Sequence, residues 1–114
     1  MQATLSKEER LSGKTAIAAL VAHGRWSGCQ HIKYCYAGQN GAGMNRMMVS
    51  VPKKFYKRAV KRNLLKRRMR EAYRTQKDLL AACDTDMMFV YSSPEIAPYE
   101  TIRAEMAKIL SSIR

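Results

Sequence analysis

The sequence predicts an α+β fold, an α/β sandwich on one small sheet, with helix, strands, helix, strand and helix in chain order. Three observations carry this. "HIKYCYA" alternates, so Ile32, Tyr34 and Tyr36 point one way and Lys33 and Cys35 the other, as in a strand. "DMMFVYS", residues 86–92, is apolar almost throughout, as in a strand buried on both faces. Residues 59–76 and 102–113 repeat their apolar positions with a helical period.

The elements follow in order. The first helix is expected to begin near Ser12 as N-cap and to end at Gly24, with Ile17, Leu20 and Val21 on one face. Gly13-Lys14-Thr15 resembles the tail of a phosphate-binding loop. That motif needs a glycine five positions earlier, where Glu8 stands, so no nucleotide site is expected. After strand 32–36, "AGQNGAG" reads as a turn between two strands. "RMMVSV", residues 46–51, is expected to be the hairpin partner, ended by Pro52. The helix from Ala59 to Gln76 and the strand from 86 come next, then a turn at Ser92, Ser93, Pro94 and Pro98. The last helix carries Ile102, Met106, Ile109, Leu110 and Ile113 as a core stripe. One domain over 1–114 is expected, large enough for one modest core.

Charge is the outlier. The chain holds 21 Lys+Arg against 9 Asp+Glu, for +12 at pH 7. Residues 53–74 carry 11 Lys/Arg and one acid, Glu71, a net of +10; the remaining 92 residues net only +2. A concentrated patch implies a polyanionic partner, nucleic acid before an anionic membrane. The three cysteines are odd in number and lack a CxxC, which argues against a disulfide framework or zinc knuckle. A metal site from Cys29, His31, Cys35 and Cys83 is disfavoured against idle thiols in a reducing cytosol. The apolar run "AIAALVA" is too short for a signal sequence or a membrane span, so the expected location is cytoplasmic.

The basic helix divides into two arcs. Leu65, Met69, Ala72 and, at the edge, Tyr73 form the core face. Asn63, Lys66, Arg67, Arg70 and Arg74 form the opposite row, along roughly 16 Å or three turns. Such a row meets several phosphates of one strand, with Arg as a planar fork and Lys as a point charge. Lys53, Lys54, Lys57, Arg58, Lys61 and Arg62 extend the positive surface around the helix start. Asn63 suits a base edge, a ribose 2′-OH, water on a metal ion, or a structural cap.

"KKFYKRAVKRNLLKRRMREAYR" resembles the signature of the bacterial ribonuclease P protein subunit, through Lys53, Lys54, Ala59, Arg62, Asn63, Lys66, Arg67, Arg70 and Glu71. The resemblance implies an αβββαβα sandwich with a four-stranded sheet and a left-handed βαβ crossover through the basic helix. It implies a monomeric subunit that binds a catalytic RNA and the 5′ leader of precursor tRNA. The RNA carries the chemistry with Mg²⁺ that it mainly holds itself. No protein catalytic residue, protein-held metal or organic cofactor is expected. The catalytic RNA would meet Lys53, Lys54, Arg58, Lys61, Arg62, Asn63, Lys66, Arg67, Arg70 and Arg74. The leader would lie between the first helix and the sheet, against Ile17, Val21, Tyr34 and Tyr36. Family members often place Phe where Ile17 and Val21 stand, and aliphatic chains cannot stack on bases. Tyr34, Tyr36 and Trp26 are the candidates to supply that stacking, with a place in the core the equal alternative for each. Leu64 stands where a basic residue is usual.

Other classes fit less well. A general RNA-binding or ribosome-associated module without linked catalysis is the alternative. A major-groove reader wants several amide or hydroxyl side chains among its arginines, and only Asn63 qualifies. A protein nuclease needs clustered acids or a His base, but His23 and His31 lie outside the patch and Glu71 stands alone. Glu71 is expected to pair with Arg67 or Arg74.

Overall fold

The computed structural model describes residues 9–113, so the expectation that no signal sequence is present, as far as it concerns residues 1–8, lies outside the described residues. Three helices, α1 (Lys14–His23), α2 (Ala59–Arg74) and α3 (Tyr99–Ser112), surround one sheet. Its strands are β1 (Arg25–Gly28), β2 (Ile32–Ala37), β3 (Arg46–Ser50) and β4 (Asp86–Tyr91).

The spatial order is β1-β2-β4-β3. β1 and β4 run antiparallel to β2, whereas β3 runs parallel to β4. The expected hairpin of β2 with β3 is therefore corrected. β3 does run opposite to β2, but β4 lies between them. The composition explains the arrangement. β4 is apolar on both faces, which only a central position can cover. Met87, Phe89 and Tyr91 enter the main core beneath α2 and α3, and Met88 enters a second cluster beneath α1. β3 buries alternate residues, Met47 and Val49, which suits an edge. The hairpin partner of β2 is β1, whose four residues are all exposed and so carried no periodic signal.

The segment 38–45 is a built loop and not a hairpin turn. Gly41 and Gly43 take positive φ there. Asn40 Nδ2 donates to Met44 O at 2.9 Å and to Asp86 Oδ1 at 2.8 Å. Arg46 grips both oxygens of Asp86, at 2.8 and 2.9 Å, tying the loop to the start of β4.

α2 and α3 are amphipathic as the spacing required, whereas α1 fully buries only Leu20 of its expected face. Leu65, Met69, Ala72 and Tyr73 of α2 are buried, as are Ile102, Met106, Ile109, Leu110 and Ile113 at α3. Burial of each large side chain contributes about 1.5–3 kcal/mol. α1 starts later than expected. Its N-cap is Gly13, at φ 95°, and neither it nor Ser12 supplies a side-chain cap. Gly24 ends α1 as expected, with its N–H on Leu20 O at 2.8 Å. Leu20 is buried beneath α1 with Cys35 and Met88, Ile17 is half-buried, and Val21 is 44% exposed.

Candidate nucleic-acid interface

The basic face begins where β3 ends. Val51 is buried, Pro52 breaks the ladder, and residues 53–55 turn outward with Lys53, Lys54 and Phe55 exposed. Tyr56 turns back in. Its hydroxyl donates to Ser93 O at 2.9 Å and its ring tilts against Tyr91. Arg58 is the N-cap of α2, without a side-chain cap bond and with no acid in the first turn. Lys61 and Arg62 thus sit at the positive end of the helix dipole, an arrangement that an anion relieves by about 0.3–1 kcal/mol per charge.

Most of the cations expected to meet RNA reach the surface. Lys53, Lys54, Arg58, Lys61, Arg67 and Arg70 are exposed and Lys66 is half-buried; none is in an ion pair among the described residues. Asn63 is exposed and makes no side-chain hydrogen bond among the described residues, so the structural cap role does not hold there. Leu64 is half-buried. Arg70 also borders a groove lined by Arg10, Leu11 and the β3 edge.

Two of the ten residues have other duties. Arg62 Nη1 donates to Tyr56 O at 2.8 Å and Lys57 O at 2.7 Å, clamping the chain that leads into α2. Its position at the border of the two arcs turns it back on its own helix. Arg74 Nε donates to Glu71 Oε2 at 3.1 Å, and Nη2 closes a second, shorter contact to Oε1. Of the two partners expected for Glu71, Arg74 takes it. Hydrogen bonding from Arg74 holds the Glu71 carboxyl below the usual range, opposed by desolvation and helped further by the Arg74 charge. Arg68 was not among the expected RNA contacts and is a structural tie: Nη1 donates to Ala97 O at 2.8 Å, joining α2 to the chain before α3.

The expected leader cleft is not assembled as proposed. Ile17 and Val21 belong to α1, which covers the sheet face of Cys35 and Met88. Tyr34 and Tyr36 project from the other face, toward α3. Tyr34 is buried and shares a 3.0 Å hydrogen bond with Ser112 Oγ, while Tyr36 stacks on it half-buried. The alternation of β2 required this, because the even-numbered residues fill the main core. Trp26 does lie on the α1 side. It pairs with Cys35, is 42% exposed, and its Nε1 donates to Val21 O at 3.3 Å. Lys33 Nζ sits 5.3 Å from its ring centroid. β1 had been invisible as a strand, so nothing in the sequence put Trp26 on that face.

The cysteines are separate: Cys35 is buried, Cys83 exposed, and Cys29 lies near Glu105. Glu105 instead binds His31, whose Nδ1 is 2.5 Å from Oε2, and the backbone N–H groups of His31 and Ile32. Among the described residues no group of three or more His, Cys, Asp or Glu could hold a metal ion. No helix among them is long and apolar enough to cross a membrane.

Known proteins resemble this arrangement over nearly its whole length. The ribonuclease P family model matches residues 5–114. The ribonuclease P protein component of Porphyromonas gingivalis is 34% identical, across 96% of this chain and 85% of that protein. The component of Chlorobium phaeobacteroides is 29% identical, across 97% and 88%. The RNase P protein from Thermotoga maritima superposes with a TM-score of 0.81 at 23% identity, covering 93% of this chain and 98% of that one. The Staphylococcus aureus RNase P protein gives 0.78 at 19% identity, covering 90% and 92%, and these two likenesses concern the fold. With its cationic α2 and a family match spanning the sheet and all three helices, the chain belongs to the ribonuclease P protein family.

Proposed function

We propose that this RNA-binding subunit of ribonuclease P, the endoribonuclease of tRNA 5′ maturation, holds its catalytic RNA through the cationic arc of α2. The observation that carries this reading is the row Lys66, Arg67 and Arg70, without acidic partners among the described residues, with Lys53, Lys54, Arg58 and Lys61 exposed around the helix start. Cations left unneutralised on one helix face repel each other, and a polyphosphate removes that repulsion. Precursor tRNA is the substrate in this reading. Its single-stranded leader runs on the α1 side of the sheet, where Trp26 offers the ring that Ile17 and Val21 lack and Lys33 sits beside it as a cation.

The chemistry belongs to the RNA and to Mg²⁺ bound by it. The protein's donor set fits no Mg²⁺ site of its own on this face, since its one carboxylate, Glu71, is taken by Arg74. Asn63 suits water or a 2′-OH at that junction. The chain acts by screening phosphates and orienting substrate, as a monomer in the cytoplasm. The test is precursor-tRNA cleavage at low Mg²⁺ with protein alone, RNA alone and both. Cleavage is expected to be strong only with both, and robust cleavage by protein free of RNA would reject the reading.

A further inference from the structure

An open basin of about 530 Å³ lies at the start of α2, between the 53–58 segment and the loop before α3. Lys54, Phe55, Lys57, Arg58 and Lys61 line one side and Ile96 the other. We propose that this basin binds one unpaired nucleotide of the partner RNA, with its base on the Phe55 ring and its phosphate on Lys57, Arg58 and Lys61. The proposal rests on the RNA-binding reading above and extends it to a residue type that phosphate contacts do not need.

Three observations carry it. Phe55 is 37% exposed and Ile96 is 39% exposed, so apolar surface faces water in the most cationic part of the chain. The neighbouring Tyr56 is 5% exposed, so the core takes one ring of the pair and leaves the other out. Both walls are tied down by hydrogen bonds. Tyr56 is tied to Ser93 O, and Arg62 clamps the carbonyls of Tyr56 and Lys57. Across the basin the Tyr91 hydroxyl donates to Glu95 O at 2.5 Å and accepts from Ala97 N–H at 2.8 Å, fixing the backbone around Ile96. The third observation is charge. The lining holds four cations and no acid, and none of the four is in an ion pair among the described residues. Glu95 stands just outside the lining, near Tyr56. Lys54 Nζ lies 5.4 Å from the Phe55 centroid, so a base entering there displaces a solvated lysine head and no packed side chain. A ring beside a set of cations is the usual composition of a single-strand site, and the volume suits one nucleotide.

The full chain is titrated with the ribonuclease P RNA of its own organism and, separately, with a short oligouridylate. Wild type, Phe55→Leu, Phe55→Trp and Lys57→Ala are compared, each with a thermal melt. Phe55→Leu keeps apolar volume and removes the aromatic face. It is expected to weaken both RNAs roughly 5- to 150-fold, the worth of one stacked base, with the salt slope and melting temperature unchanged. Phe55→Trp is expected to bind at least as tightly as wild type, and Lys57→Ala to flatten the salt slope by about one unit. Wild-type affinity of Phe55→Leu for both RNAs overturns the proposal, as does an equal loss in Phe55→Trp. If wild type ignores the ribonuclease P RNA while Phe55→Leu still weakens oligouridylate, the subunit reading fails and the basin stands.

Discussion

Leu65 and Arg67 lie two positions apart on α2 and face opposite environments. Leu65 is fully buried in the main core, whereas Arg67 is exposed with no ion pair among the described residues. Leu65→Ala removes three carbons from a filled site and is expected to cost about 2–5 kcal/mol. At this chain length each kcal/mol moves the midpoint by about 4 °C, so the melting temperature falls by roughly 8–20 °C. Arg67→Ala changes stability by less than about 0.5 kcal/mol. RNA binding reverses the order. Seven of the ten expected RNA contacts are exposed or half-buried cations with no acidic partner among the described residues: Lys53, Lys54, Arg58, Lys61, Lys66, Arg67 and Arg70. If each meets one phosphate, log affinity falls with log salt at a slope of about −5 to −6, roughly 10³- to 10⁴-fold between 50 and 200 mM. Arg67→Ala flattens that slope by about 0.7–0.9, and Leu65→Ala leaves it alone while folded. The assay is RNA titration at four salt concentrations below the melting range of every variant, with thermal unfolding in parallel. Should Arg67→Ala melt early and keep the wild-type slope, the assignment of the two faces is wrong.

Arg62→Ala is expected to lower stability by about 1–3 kcal/mol, because two charge-assisted bonds to the carbonyls of Tyr56 and Lys57 are lost, and to change the salt slope less than Arg67→Ala; melting and titration read both. Gly24→Ala is expected to loosen α1, since a Cβ there would lie 2.5 Å from Leu20 O, while Gly38→Ala, with open space around it, leaves the melting temperature unchanged or slightly higher. Thiol labelling at pH 8 followed by mass spectrometry is expected to mark Cys83 first and Cys35 only on unfolding, because burial pushes the Cys35 thiol up to about 11, against a smaller lowering by the hydrogen bond to the Met88 backbone. The Glu71 carboxyl is held low by Arg74, so its pairing is complete above the ordinary carboxylate pKa and is lost as pH falls through the lowered folded value; a carboxyl-carbon NMR titration checks this, and Arg74→Ala returns Glu71 to the usual range.

What the sequence determined by itself is local and periodic. The 3.6-residue spacing of Leu65, Met69 and Ala72 fixed which side of α2 enters the core, and so which side keeps its charge in water. The strand and helix of the C-terminal third were legible for the same reason, since Met87, Phe89, Ile102, Met106 and Ile109 show their periods without reference to anything distant. The charge density of residues 53–74 needed no structure, because a net of +10 in that span persists in any fold. Three matters were decided only by tertiary structure. Strand order is a contest for burial: β4 outcompetes β3 for the place beside β2 because both of its faces are apolar, and period alone cannot rank two strands. β1 is held by pairing and not by hydrophobic content, so its four exposed residues gave no signal, and the position of Trp26 went with it. The destinations of Arg62 and Tyr34 depended on acceptors far away or folded back. Two backbone carbonyls draw Arg62 onto its own helix start, and Ser112, seventy-eight residues on, receives Tyr34 inside the main core. A charge or a ring is visible in the sequence, but the group that satisfies it is chosen only when the chain has closed.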